Sequence, residues 1–456
     1  MIVMKFGGSS VESAAAIERV ASIVKARVER RPVVVVSAMG KTTNKLLQIA
    51  SNAVNGHRPE ARAQLTELKA FHEREAEAAV SPADRAAAAG IIDDHFRELS
   101  ELLGGMAVLG ELTPRSIDAI SSYGERLSSA LVTLAFRNFG IDAVHVDSRE
   151  VIVTDGRHTQ AAPLFPQSYE RLAATVAPLA QSQVVVMGGF IGANEAGVTT
   201  TLGRGGSDFT ASIVGAGIGA EEIQIWTDVD GMLTADPTIL KDGHRVKAIS
   251  FAEASELAYF GAKVLHPSTV LPAIEKSIPV SILNSRRPEV PGTRIVPESV
   301  SCRNIFKSIA CKRKIMLVSI RSTRMLMAHG FLRRIFEVFD RFETPVDMVS
   351  TSEVSVSLTI DNPSRLSEIQ CELRQFADVD IESGQAIVCL VGDNIRYTPG
   401  VSGRVFHALS DINVRMISQG ASLLNVSFVV AEEDVPRSFE VLHREFFGEV
   451  DPAVFD

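Results

Sequence analysis

The chain has 456 residues, a formal net charge of −9 and 46% hydrophobic residues, enough for two or three domains that each bury a core. Charges of both signs are interspersed, which excludes the basic stripe of a nucleic-acid surface, and no apolar run reaches the ~18–20 residues that span a bilayer. The N-terminus reaches Gly7-Gly8 after a few apolar residues, unlike a signal peptide, and the four cysteines (Cys302, Cys311, Cys371, Cys389) lack metal-ligand spacing, so a reduced, cytoplasmic chain without structural disulfides or a resident metal is expected.

The first element is the apolar run Ile2–Phe6, inside "MKFGGSSV". Lys5 stands at a strand end, Gly7-Gly8 permit close backbone approach, and Ser9-Ser10 read as the cap of a new helix. Such a helix N-terminus offers N–H groups to an anion, and Lys5 supplies a point charge for a phosphate. An ordinary strand–turn–helix would read the same way. The second run, Val33–Ser37, leads into "SAMGKTTNKLL". Gly40-Lys41-Thr42 suggests a P-loop, but Val35 stands where the first glycine of G-x-x-x-x-G-K-[ST] belongs. The polar turn with Ser37, Lys41, Thr42, Thr43 and Asn44 therefore needs another task. From about Ala50 to Leu134 the text is Ala-, Glu- and Leu-rich with helical period, which predicts several helices. Within it, Glu125 has apolar or small neighbours in "SIDAISSYGERLSSALV". That pattern points it inward, where it could hold an ammonium group, against the alternative of a solvated surface glutamate.

Further β-branched runs follow at Val144–Asp147, Val184–Gly188, Ile223–Trp226 and Val280–Leu283. Their near-continuous apolar character and their alternation with helices predict an α/β fold with a mainly parallel sheet, whose ligands lie beyond the carboxyl ends of the strands. Between them, "TTTLGRGGSDFTAS" (Thr199–Ser212) packs hydroxyls, three glycines, Arg204 and Asp208 into one turn before a small-residue helix. It is poor as packing and good as an anion cradle, with Arg204 suited to a carboxylate. Asp208 is either a lysine's partner, a general base or a plain N-cap. "IWTDVDGMLTADP" (Ile225–Pro237) lacks the spacing of a Ca²⁺ loop and reads as a nucleotide-pocket loop. "FGAKVLHP" (Phe260–Pro267) offers Lys263, a second cation for a phosphoryl group or a solvated residue.

The Pro-, Gly- and Arg-rich "RRPEVPGTRIVPES" (Arg286–Ser299) marks a domain boundary. Beyond it, "GRVFHALSDINVRMIS" (Gly403–Ser418) echoes "RRIFEVFDRFETPVDMVS" (Arg333–Ser350), and "NVSFVV" echoes "VSVSLTI". The offset of about 70 residues has room for one small βαββαβ unit each. Two such units could extend their sheets into one another and pair between chains. The domains expected are thus 1–299, 300–390 and 391–456, the last two allowed to interleave.

Anion-cradling turns, lysines, one arginine and buried-patterned carboxylates, without a nucleophilic triad, suit phosphoryl transfer, which needs positioning and electrostatics more than covalent chemistry. "KFGGSSV", "TTTLGRGGSDFTAS", "IWTDVDG" with "TADP", and "FGAKVLHP", in this order, resemble the aspartate kinases of the amino acid kinase family. The resemblance covers essentially the whole chain, whose repeated tail is similar to tandem ACT regulatory domains; "STSEVSVSLTI" is closest to the lysine-sensitive class, and the length suits a monofunctional enzyme. It implies a carbamate-kinase-like three-layer sandwich followed by two ferredoxin-like domains. It implies transfer of the γ-phosphoryl of Mg-ATP to the β-carboxylate of L-aspartate, the first step towards lysine, threonine and methionine, in a cytoplasmic homo-oligomer joined through its ACT domains.

The resemblance also implies roles residue by residue. Ser37 and Thr43 would bind aspartate, Glu125 its ammonium, and Arg204 with Gly205, Gly206 and Ser207 its carboxylates. Lys5, Asp208 and Lys263 would be catalytic. Lys5, Phe6, Gly7, Gly8, Thr227, Asp228, Leu233, Thr238, Lys263 and Val264 would contact ATP, with Mg²⁺ held by phosphates and water. Relatives often carry an aromatic residue at the position of Leu233 and a basic one at that of Thr238, which predicts weaker nucleotide binding. A lysine effector would lie along Gly330, Phe331, Leu332, Val346, Asp347, Thr351, Ser352 and Glu353, with Asp347 and Glu353 on its ammonium groups. Threonine or no amino acid as effector, glutamate or N-acetylglutamate as acceptor, and a non-catalytic amino-acid sensor on the same fold are the competing readings.

Overall fold

The computed structural model describes residues 1–261, 267–322 and 329–456. The chain divides into two compact units, Met1–Met232 with Leu265–Pro297, and Leu233–Val264 with Glu298–Asp456. No helix among the described residues is long and apolar enough to cross a membrane.

In the first unit each apolar run of the sequence becomes a strand. The sheet runs in the order Ala143–Val146, Val184–Gly188, Pro32–Val36, Ile2–Phe6, Glu222–Thr227, Val280–Asn284, Thr293–Val296. Neighbours are parallel except the last pair, which is antiparallel. Ile2–Phe6, Pro32–Val36 and Val184–Gly188 are buried at every residue, as strands covered on both faces must be. Met4, Phe6, Val34 and Val36 pack on the helices Thr42–Val54, Arg58–Ala79, Arg85–Leu109 and Pro114–Asn138. On the other face Val3 approaches Gly215 of the helix Gly206–Ile218. The result is the three-layer sandwich. Register places Lys5 beside Val35 and Ile225, and Phe6 beside Val36 and Trp226, so three polar turns leave the sheet side by side.

One local expectation fails. Ser9-Ser10 do not cap the first helix, which begins at Ala14 with Ser13 as its cap, accepting from the Ala16 amide. Ser10 instead meets Ser285, hydroxyl to hydroxyl at 2.7 Å. The serine that caps is the one whose backbone is extended just before the apolar period starts, and two candidates stood closer to the glycines.

The second unit holds a six-stranded antiparallel sheet in the order Val349–Thr351, Ser355–Ile360, Phe306–Arg321, Asp378–Gly392, Asn425–Ala431, Met416–Gln419. The two middle strands are 16 and 15 residues long. Ser355–Ile360 pairs with Met316–Arg321, in the later part of one, and Asn425–Ala431 with Gln385–Val391, in the later part of the other. Between the parts lie register shifts near Lys312–Leu317 and the left-handed residues Lys314 and Gly384. The sequence repeat is thus a structural one. Helices Phe331–Arg341 and Val401–Ala408 each precede an edge strand and then an inner strand, and the two middle strands serve both halves. The position near 390 where the second repeat was expected to begin falls inside Asp378–Gly392.

This unit also buries an ion pair. Lys307 Nζ lies 2.9 Å from Glu253 Oε1 and 3.0 Å from Oε2, with both side chains almost fully excluded from water. Glu253 is at the same time the third residue of a capping box, accepting from the Ser250 amide and hydroxyl at the start of helix Phe251–Tyr259. Removing one partner strands the other charge in the interior. Lys307→Ala should therefore cost about 3–5 kcal/mol, read from urea denaturation, whereas the double replacement Lys307→Met with Glu253→Gln should cost less.

Candidate active site

The carboxyl ends of the central strands enclose a cavity of about 330 Å³ lined by Lys5, Ser37, Thr43, Glu125, Phe190, Gly203, Gly205, Gly206, Ser207 and Asp208. That volume suits a small polar molecule. Lys5 closes one side. Its ammonium sits 2.6 Å from Asp208 Oδ1, and both side chains are largely buried. Asp208 reaches this position from the first turn of the helix Gly206–Ile218, so it is not the cap; Gly205, in the left-handed region at φ 72°, is. A carboxylate in that first turn also suits the positive end of the helix dipole.

Ser37 Oγ donates to Ser207 Oγ at 3.0 Å, joining the turn after the second strand to the anion turn. Close packing makes this possible. A Cβ on Gly189 would stand 2.6 Å from Ser207 Cβ, and one on Gly124 would stand 2.7 Å from Ala38 Cβ and 3.0 Å from Thr43 Oγ1. Phe190 adopts φ 67°, costly for a bulky residue, and its amide donates to Thr210 Oγ1 at 2.9 Å.

Glu125 provides the floor. Its side chain is buried, Oε1 accepts from the Ala38 amide at 3.2 Å, and Oε2 is buried without a hydrogen-bond partner. Burial, opposed only in part by hydrogen bonds, pushes its carboxyl up to about 8. An unpartnered carboxylate oxygen lining a polar cavity is a place for a cationic group of a ligand.

The first 284 residues match the amino acid kinase family, and residues 388–446 match an ACT domain. The chain is 40% identical to the chloroplastic aspartokinase 1 of Arabidopsis thaliana over 464 residues, 98% of this chain and 80% of that protein. It is 36% identical to the lysine-sensitive aspartokinase 3 of Escherichia coli over 460 residues, 98% and 99% of the two chains. It belongs to the aspartokinase family. Its fold matches that of E. coli aspartokinase III in complex with lysine and aspartate (T-state) with a TM-score of 0.84 at 34% identity, over 98% of this chain and 99% of that one. Against the same enzyme with aspartate and ADP (R-state) the TM-score is 0.83, over 98% and 100%.

Of the residues singled out in the sequence of this aspartokinase, Lys5, Ser37, Thr43, Glu125, Gly205, Gly206, Ser207 and Asp208 meet around one cavity. Arg204 lies between two lining glycines but is exposed and does not line it. Gly203, one of the three glycines of the expected anion turn, lines it as well, and so does Phe190, which carried no such expectation. Phe190 follows "MGG" after a strand, and its only signal was a bulky residue next to two glycines.

Phe6, Gly7, Gly8, Thr227 and Asp228 gather at the adjoining strand ends: Phe6 stacks on Trp226, and the Gly7 amide donates to Trp226 O at 3.3 Å. Leu233 and Thr238 fall in the second compact unit, where Thr238 donates from its amide and hydroxyl to Asp236 Oδ1. Lys263 and Val264 lie outside the described residues. No group of three or more His, Cys, Asp or Glu among the described residues is placed to hold a metal ion.

In the second unit, Gly330 caps the helix Phe331–Arg341 in the left-handed region, and Thr351, Ser352 and Glu353 are exposed on and beside the edge strand. Phe331 is buried and Leu332 exposed, and Val346 is half-buried. Asp347 was expected to meet an effector ammonium; here its Oδ1 meets Lys312 Nζ at 2.6 Å and accepts from the Tyr259 hydroxyl at 3.1 Å, while Oδ2 is buried without a hydrogen-bond partner.

Because Glu125 takes up a proton more readily when folded, stability falls as pH rises from the ordinary carboxyl range to about 8, where the folded state must carry the buried charge. Glu125→Gln removes that dependence. The melting temperature of the variant minus that of the wild type should grow between pH 5.5 and 8 and level off above.

Proposed function

We propose that this aspartokinase transfers the γ-phosphoryl group of Mg-ATP to the β-carboxylate of L-aspartate, giving 4-phospho-L-aspartate and ADP. The observation that carries the reading is the cavity itself, lined at once by a buried carboxylate with a free oxygen, a glycine-rich anion turn and a Lys–Asp pair. Glu125 takes the substrate ammonium. Ser37, Thr43 and the Gly205–Ser207 turn hold its carboxylates, and Phe190 completes the lining.

A β-carboxylate oxygen attacks the γ-phosphorus as the bond to the β–γ bridging oxygen breaks, and its electron pair leaves with ADP. Unperturbed aspartate titrates near ~3.9, so the attacking group is already ionised and no general base is required. Lys5 faces the charge that develops on the transferred group, and Asp208 holds that ammonium in place. Thr227, Asp228 and the Gly7-Gly8 turn are the nucleotide side. Mg²⁺ enters with the nucleotide, on phosphate oxygens and water. Retention of the Lys5–Asp208 pair favours an enzyme over an amino-acid sensor, which has no use for a phosphoryl clamp.

The second unit is read as the lysine-responsive part, with the effector along Gly330–Leu332 and Val346–Glu353, in a homo-oligomer. Leu332, Phe336, Val349 and Val354 are exposed, and Val349–Thr351 is an edge strand of the sheet among the described residues, a surface suited to a second copy. Lysine inhibits if it binds the inactive arrangement better than the active one. The enzyme acts in the cytoplasm, at the head of the route to lysine, threonine and methionine.

ADP release from Mg-ATP should appear with L-aspartate and not with L-glutamate or N-acetyl-L-glutamate, and L-lysine should suppress it. Lys5→Met should still bind aspartate while kcat falls by about 10²–10³; unchanged ADP release would remove Lys5 from the chemistry. In the free enzyme Glu125 is protonated below pH about 8 and must lose that proton before an ammonium binds. The KM for aspartate should therefore fall as pH rises from 6 to 8 and then level off, and Glu125→Gln should give a high, flat profile. Val349→Lys with Val354→Lys should shift the assembly towards smaller species in sedimentation velocity.

A further inference from the structure

Asp118 plays no part in the chemistry above. It lies on the helix Pro114–Asn138 seven residues before Glu125, two turns along the same helical face. Its side chain is fully buried. Thr201 Oγ1 donates to Oδ1 at 2.5 Å, the Thr159 amide donates to both oxygens at 3.0 Å, and His158 Nδ1 lies 2.7 Å from Oδ2.

Two of these partners, Thr201 and Thr159, lead to the anion turn. Thr201 ends the strand Thr199–Thr201, and the next amide, Leu202, donates to Phe190 O at 2.9 Å, on the cavity wall. Thr159 is held in the left-handed region at φ 70°, and its carbonyl oxygen stands 3.2 Å from where a Gly203 Cβ would be. The helix that carries Glu125 is thereby fastened to the segment that carries Gly203, Arg204 and Gly205. An apolar side chain would fill a buried helical position without the cost of desolvating a carboxylate. Four polar contacts to one loop and one strand are a geometric constraint, and what they constrain is a turn that lines the binding cavity.

We propose that Asp118 is a positioning residue: it sets the separation between Glu125 and the Gly203–Ser207 turn, and with it the length of amino-acid acceptor that the cavity accepts. The proposal rests on the aspartate reading. If the separation is set here, loosening it weakens the four-carbon acceptor and relaxes discrimination against the five-carbon one, while the nucleotide side is untouched.

The test is steady-state kinetics of Asp118→Asn beside the wild type, with L-aspartate and L-glutamate as acceptors. Expected are a KM for aspartate raised at least tenfold, a KM for Mg-ATP within twofold of wild type, and a smaller preference for aspartate over glutamate. Thr201→Val, which removes one donor and leaves the carboxylate, should show the same split to a lesser degree and serves if Asp118→Asn does not fold. Unchanged aspartate KM in a folded variant overturns the proposal. So does a loss of kcat with equal shifts in both KM values, the sign of general damage. Absence of aspartate turnover in the wild type would instead overturn the functional reading, an outcome visible before any variant is made.

Discussion

The ion pair between Lys5 and Asp208 joins the central strand of the sheet to the helix after the anion turn. Both groups are largely withdrawn from water, so a charge left there without its partner would be costly. That mutual requirement fixes where the helix Gly206–Ile218 begins relative to the end of Ile2–Phe6. Ser207, Gly206 and Gly205 then have one place to be, facing the turn at Ser37. The glycines around them carry no chemistry of their own. They remove the Cβ atoms that would hold these segments apart.

Glu125 belongs to the same arrangement from the opposite side. The cavity is lined both by the Lys5 ammonium and by the Glu125 carboxyl, whose charge is costly until a ligand arrives. Binding and protonation are coupled for that reason. The residue is destabilising in the empty protein, which is common where binding energy must be stored in the architecture.

Much of this was legible in the sequence, and the gaps have physical causes. All six β-branched runs became strands of the parallel sheet, since fully buried strands need no alternation to be recognised. The sequence repeat became a structural repeat for a similar reason: helix and strand periods recur in the same order. Asp118 was invisible because an aspartate in a helical pattern reads as a solvated residue, and its three partners come from residues 40 to 83 positions away. Lys307 and Glu253 hid in the same manner, one in a strand and one in a helix cap. Ser13 was missed through local competition, three serines within five residues and one extended backbone. Phe190 needed the fold, because its left-handed conformation and its place on the cavity wall are tertiary facts.

The two long strands in the middle of the C-terminal sheet have a further consequence. Phe306–Arg321 and Asp378–Gly392 each supply hydrogen-bond partners to both halves of the repeat. The halves are therefore not separable pieces of chain, although the sequence repeats. A cut placed at the border of the repeat passes through a shared strand and leaves each fragment with an open edge. Gene duplication in this architecture yields an interlocked pair, and recombination that exchanges one half for that of a relative must carry the common strands with it or lose both.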